Sequence, residues 1–163
     1  MLYIGSDHAG FYLKEKVKEF LKRENYEFED MGAYTYDEGD DYPNYALKVC
    51  KKVLNGSGDR GILFCGTGQG MDIVANKIPG ILAAVCWNEE TAKNANKLNV
   101  DIITMGGRVT GPDMAETIIK IWLNPIERDE RHIRRIKKVK EIERQFFKSP
   151  PLYVDKEDFG IED

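Results

Sequence analysis

The stretch Gly61-Ile62-Leu63-Phe64-Cys65-Gly66-Thr67-Gly68-Gln69-Gly70 decides how this chain is read. Its first four residues form a continuous apolar run, the pattern of a parallel strand buried on both faces. Three glycines then let the backbone turn tightly and approach a ligand closely. A helical pattern follows to about residue 77. Strand, glycine loop and helix in this order gather backbone N–H groups into a nest suited to an anion. The spacing Gly-x-Gly-x-Gly is not the dinucleotide fingerprint, and no Lys-Ser or Lys-Thr pair follows as in a P-loop. A glycine-rich turn with no ligand is the competing reading.

The same alternation recurs on either side. Residues 2–4, 26–28, 81–85 and 101–105 read as strands. After the first, Leu13, Val17, Phe20 and Leu21 share one helical face, with Lys14, Lys18 and Lys22 on another. Residues 31–41 form a loop rich in Gly, Asp and Tyr. Pro43 opens a helix through Val53 that 55–58 closes. Further helices are expected over 89–97, from Pro112 to Trp122, and, strongly basic, over 128–147. Repeated strand–helix units predict an α/β, Rossmann-like three-layer αβα sandwich, with a parallel sheet of about five strands, a C-terminal helix and a tail. One domain over 1–148 is expected, followed by a tail over 149–163 with two prolines and five acids.

Composition narrows the function. The chain has 163 residues, enough for one compact domain. Hydrophobic residues make up 42% and charged residues 32%, which excludes a disordered or collagen-like chain. A formal net charge of -4 argues against nucleic-acid binding as the main role. No run reaches the roughly 20 apolar residues of a membrane span, and the N-terminus lacks signal-peptide features. Three cysteines without metal-like spacing read as reduced thiols, so a cytoplasmic protein with no metal site is expected.

In such folds the ligand crevice lies beyond the carboxyl ends of the strands. Those ends carry Asp7-His8, Cys65 to Gly70, Cys86-Trp87 and Gly106-Gly107-Arg108. A thiol next to a helix N-terminus has its pKa lowered and can act as base or nucleophile, so Cys65 is a candidate, with burial in the core as the alternative. Cys50 and Cys86 read as packing residues. His8 can bind phosphate or shuttle a proton; Asp7 is a partner or merely a helix cap. Arg108, Arg131 and Arg135 carry the planar fork that suits phosphate oxygens. The late helix also reads as a solvated basic face.

The ordered set Gly5-Ser6-Asp7-His8-Ala9-Gly10, Asp41-Tyr42-Pro43, Cys65-Gly66-Thr67-Gly68-x-Gly70, Ala75-Asn76-Lys77, Gly106-Gly107-Arg108 and Arg131-His132-x-x-Arg135 resembles ribose-5-phosphate isomerase type B and its sister, galactose-6-phosphate isomerase. The likeness covers about residues 1–145. It implies a cofactor-free aldose–ketose isomerase of a phosphorylated sugar, at least dimeric, its active site at the interface of a homodimer or dimer of dimers. Carried over by position, the resemblance makes Cys65 the base and Thr67 its polar neighbour, with the amides of Gly66, Gly68 and Gly70 stabilising an enediolate. His8, Arg108, Arg131 and Arg135 hold the phosphate, the last two from a partner subunit. By the same resemblance Asp7 and Tyr42 stand near the sugar hydroxyls, and Asn99 is a further substrate-binding position. Some relatives place a Glu base where this chain has Met71, which supports Cys65; Asp72 is a competing carboxylate read as a first-turn helix acid.

One position departs from the pattern. Leu98 stands where many relatives carry the His that opens the sugar ring, and Leu cannot transfer a proton. Three readings follow: a homomeric ribose-5-phosphate isomerase that manages without that His, the Cys-bearing subunit of a hetero-oligomeric galactose-6-phosphate isomerase, or an isomerase of a short open-chain sugar phosphate. A non-catalytic sugar-phosphate binder belongs to a different class, and retention of Cys65 and Thr67 speaks against it.

Overall fold

The computed structural model describes residues 1–126 and 129–147. Five parallel strands, β1 (Leu2–Ser6), β2 (Phe28–Asp30), β3 (Arg60–Cys65), β4 (Ala83–Val85) and β5 (Ile102–Gly106), form one sheet in the order β2-β1-β3-β5-β4. Among the described residues six helices accompany them: α1 (Phe11–Arg23), α2 (Tyr42–Asn55), α3 (Gln69–Asn76), α4 (Glu89–Leu98), α5 (Pro112–Leu123) and α6 (Glu130–Phe146).

The strand order explains the layers. From β1 the chain steps to one edge through α1; from β3 it steps the opposite way through α3. Right-handed crossovers in opposite directions must lie on opposite faces. Accordingly Leu13, Val17, Phe20 and Leu21 of α1 share a core with Ala92 and Ala95 of α4 and Ile118, Ile119 and Trp122 of α5. Ala46, Val49 and Val53 of α2 pack with Met71 and Ala75 of α3 on the other face. Residues of β3 alternate between them: Ile62 and Phe64 point to the first core, Leu63 and Cys65 to the second. Cys65 is thereby turned towards α2 and α3.

Local chemistry sets the element ends. Asn88 and Thr91 form a reciprocal capping box at the start of α4, which supplements the two first-turn acids. The Asp129 side chain caps α6 by accepting from the Arg131 N–H at 2.7 Å. Asn76 accepts from the Ala83 N–H at 3.0 Å and donates to its carbonyl at 3.1 Å, bolting α3 to edge strand β4.

Several expectations are corrected. The second strand is 28–30, not 26–28: the Tyr26 N–H donates to the Leu21 carbonyl and closes α1, so pairing begins at Leu2 with Phe28. The fourth is 83–85 rather than 81–85, because the Ile81 N–H turns back to Ile78. Arg128, the expected start of α6, and the tail over 149–163 lie outside the described residues. Lys14, grouped with Lys18 and Lys22 on a second face of α1, is nonetheless not solvated. It is fully buried, with Nζ 2.8 Å from Asp30 Oδ1 and bonded to the Ala33 carbonyl. A buried ammonium is tolerated only when paired and hydrogen-bonded, and Asp30 supplies that pairing from the end of β2.

Burial alone would raise the Asp30 carboxyl, but hydrogen bonds from Lys14 and Lys18 hold it below the usual carboxylate range. A depressed folded pKa gives stability that is present above the unfolded value and lost as pH falls through the folded one. Lys14→Met is therefore expected to lower the unfolding free energy by about 3 kcal/mol at neutral pH. The gap from wild type should narrow below about pH 4. Urea unfolding of both proteins at neutral and acid pH checks this; an unchanged midpoint would show that the pair contributes nothing.

Candidate active site

The two oppositely directed crossovers part between β1 and β3, and the crevice opens beyond their carboxyl ends. Three loops meet there. The Asp7 N–H donates to the Phe64 carbonyl at 3.2 Å, tying the first loop to β3. The Gly107 N–H donates to the Cys65 carbonyl at 2.8 Å and the Arg108 N–H to Gly66 at 3.0 Å, tying the third loop to the second. A Cβ on Gly107 would sit 2.5 Å from the Ala9 carbonyl oxygen, so this glycine lets the first and third loops touch.

Cys65 ends β3 and is 4% exposed. The Gly68 N–H donates to its Sγ at 3.2 Å. Gly68 has φ +86, a left-handed conformation that favours glycine, and it starts α3 at this point. Thr67 is exposed on the same loop. The Arg108 guanidinium lies 3.2–3.5 Å from where a Gly66 Cβ would stand, and the Tyr42 ring 3.0–3.3 Å from that of Gly70. Both side chains therefore flank the loop that carries Cys65.

Asp7 and His8 form the opposite wall. Asp7 is buried, its Oδ1 accepting from the Gly10 N–H at 2.9 Å. Burial pushes its carboxyl above the usual range, opposed by the Gly10 N–H and the nearby His8 charge. Both the His8 backbone N–H and Nδ1 meet Asp40 Oδ1 at 2.8 Å. That hydrogen bond raises the His8 pKa, outweighing partial burial. Asp40 escapes sequence reading: it is one acid among several in its loop, and only folding brings it to His8.

The structure gathers Asp7, His8, Tyr42, Cys65, Gly66, Thr67, Gly68, Gly70 and Arg108 at one end of the sheet. It does not bring Asn99, Arg131 and Arg135 to them. Asn99 caps the far end of α4 and lies 3.4 Å from Arg60 at the start of β3. That strand spans about 17 Å, so Asn99 sits at the opposite edge. Helix α6 lies along that edge: Glu143 accepts from the Gly80 N–H, and His132, Ile133 and Ile136 line a groove with Leu98 and Asn99.

The other sulfurs and the competing carboxylate are accounted for. Burial pushes Cys50 and Cys86 up to about 12, so both stay protonated packing residues. Asp72 lies in the first turn of α3, as expected. Burial raises its carboxyl, and its charge is felt at Cys86.

A sheet with this switch-point crevice, walled by a thiol, an imidazole and a guanidinium, defines an α/β enzyme that acts on a small anionic substrate. Residues 2–139 match the model of the Ribose/Galactose Isomerase family, and the chain belongs to that family. It is 37% identical over 153 residues to ribose-5-phosphate isomerase B of Mycobacterium tuberculosis, covering 93% of this chain and 94% of that one. The solved ribose-5-phosphate isomerase B of Clostridium thermocellum superposes with a TM-score of 0.84 at 44% identity, over 89% of this chain and 98% of the other. The enzyme of Mycoplasma genitalium, solved with ribulose-5-phosphate bound, gives 0.83 at 36% identity, over 88% and 96%. The chain is thus an aldose–ketose isomerase of sugar phosphates, similar to type B ribose-5-phosphate isomerases. No described helix is long and apolar enough to cross a membrane.

Gly107→Ala tests the loop junction. The added methyl must part the first and third loops, and a displacement of about 1 Å costs about 100-fold in rate. Steady-state kinetics should show kcat/KM falling by about that factor; an unaltered value would mean that the junction does not set the site's geometry.

Proposed function

We propose that this protein interconverts ribose 5-phosphate and ribulose 5-phosphate through a cis-enediolate, with Cys65 as the base and without a cofactor. The observation that carries this is the Cys65 thiol at the switch-point crevice, its sulfur accepting from the Gly68 N–H. In this reading the sulfur, held at the start of α3, is the atom that removes the proton. Cys65 takes the proton from C2 of the open-chain aldose; the electron pair moves into the C1–C2 bond and the C1 carbonyl oxygen gains the charge. The O2 hydroxyl proton passes to O1, and the proton held by Cys65 returns to C1, leaving a ketone at C2 and a hydroxyl at C1. Because Gly68 is engaged by the sulfur, the N–H groups of Gly66 and Gly70 are left for the enediolate oxygen. Thr67 borders the reacting carbons, and Asp7 and Tyr42 the sugar hydroxyls. His8 and Arg108 hold the phosphate.

We further propose that the site is completed by a second copy of the chain. Arg131 and Arg135 lie on one face of α6 one turn apart, at the sheet edge remote from their own Cys65. The loop at the crevice mouth is acidic through Asp37, Glu38, Asp40 and Asp41, and α6 is basic, so two copies attract head to edge. Asn99 shares the edge with α6 and would enter the partner's site with it. The catalytic domain in this reading is 1–148, with the segment 149–163 as its tail.

Leu98 favours a second reading. It lines the α6 groove where a ring-opening acid would reach a partner's substrate. A short sugar phosphate that cannot close a furanose ring needs no such acid, and a hetero-subunit of a galactose-6-phosphate isomerase would receive it from elsewhere.

Turnover of ribose 5-phosphate by the purified protein alone supports the first reading. Activity on erythrose 4-phosphate alone would replace it with the second. Cys65→Ala is expected to lose turnover by about 1,000-fold while still binding substrate; near-wild-type turnover would remove Cys65 as base. A mixture of Cys65→Ala with the double variant Arg131→Ala, Arg135→Ala should recover about a quarter of wild-type activity, since random two-fold pairing rebuilds that share of shared sites. No recovery after subunit exchange would sink the shared site.

A further inference from the structure

The Asp40–His8 pair carries an inference beyond the proposed activity, though it rests on the reading of His8 as part of the phosphate clamp. One carboxylate oxygen, Asp40 Oδ1, meets both the backbone N–H and the Nδ1 of His8 at 2.8 Å. Two bonds to one residue fix the ring in position as well as in direction. The Asp40 side chain is 6% exposed and that of His8 24%. Oδ2 is buried with no hydrogen-bond partner among the described residues. A carboxylate taken out of water needs a cationic partner, and the His8 ring is the ion pair it makes.

The surroundings point the same way. Asp7 adds negative charge from the end of β1, and Asp37 lies on the same loop as Asp40. Tyr45 of α2 faces Asp40; burial and then the Asp40 charge raise its hydroxyl, so it stays neutral and adds no negative charge. Arg108 stands on the third loop, over Gly66. The support beneath Asp40 is rigid where it leaves β2. The Ser6 N–H donates to Gly32, Ala33 returns an N–H to Ser6, and Lys14 holds Asp30 and the Ala33 carbonyl. Nε2 of His8 makes no hydrogen bond among the described residues, and it is the ring atom left for an incoming anion.

We propose that Asp40 is a positioning residue: through its two bonds to His8 it orients the imidazole and keeps it cationic, so that Nε2–H is presented to the substrate phosphate. Asp40 does not touch the reacting carbons. It acts on binding, through His8, and not on proton transfer at Cys65.

The test compares wild type with Asp40→Asn in the full-length protein. Ring nitrogen NMR follows His8, assigned with a His132→Gln sample because the chain has two histidines. Wild-type His8 is expected to titrate above the ordinary value of about 6.5, and Asp40→Asn to bring it down. In ribose 5-phosphate assays the variant should raise KM about tenfold near pH 7.5 with kcat within about twofold, and the difference should close near pH 5.5, where an unassisted imidazole is also protonated. A purely structural role predicts a loss that pH does not rescue, and that result overturns the proposal. So does a wild-type His8 that titrates at or below the ordinary value, which decides the matter even if Asp40→Asn does not fold. Should the protein isomerise no sugar phosphate, the activity reading fails on its own. Inorganic phosphate then serves as the probe: about tenfold weaker binding by Asp40→Asn at neutral pH upholds the role of Asp40, and equal binding removes it.

Discussion

The adjacency of β1 and β3 is the constraint on which the rest of the molecule depends. They pair in parallel from Leu2 with Arg60 to Ser6 with Phe64, and the Asp7 N–H extends the ladder to Phe64. Gly10 packs directly against the Phe64 carbonyl, where a side chain has no room. Because the crossovers leaving these strands run in opposite directions, no helix covers the gap above them. A crevice is the geometric remainder of that topology. Asp7, His8 and Cys65 border it because they are the residues at which the two strands end.

Charge separates along the sheet axis. The carboxyl ends of the strands face an acidic loop and three isolated cationic or polar anchors: His8, Arg108 and the helix start at Gly68. The opposite edge carries α6, whose apolar residues Val139, Ile142 and Phe146 stay exposed beside its arginines and lysines. These exposed residues are the surface that the proposed second copy would cover. The same separation explains why residues needed for phosphate binding in the proposed reaction stand in two groups that no single chain brings together.

Within the crevice, burial is used selectively. Cys50 and Cys86 lie in apolar surroundings that keep them protonated. Cys65 has a backbone donor aimed at its sulfur. His8 is held by a carboxylate that the fold, and not the chain's local sequence, delivers across 32 positions. The fold thus gives identical residue types different surroundings.

The strand–loop–helix order, the parallel sheet and the residues at the strand ends were legible in the sequence, because apolar runs, glycine loops and 3.6-residue periodicity are local signals. So was the candidacy of Cys65, since its loop lies within ten residues of the strand that aims it. Other features required tertiary structure. Lys14 borders the apolar stripe of α1, and only the arrival of Asp30 and Ala33 turns it from a surface lysine into a buried one. Asp40 resembles its acidic neighbours until the loop folds onto His8. The registers of β2 and β4 depend on which residues their partner strands present, so their short spans shifted. Asn99, Arg131 and Arg135 follow the motif in order, yet their place at the far edge is a matter of sheet direction, which no local pattern encodes. Sequence determined which elements form and which side chains cap the strands; tertiary structure decided which distant charges meet, because pairing energy depends on three-dimensional distance and burial.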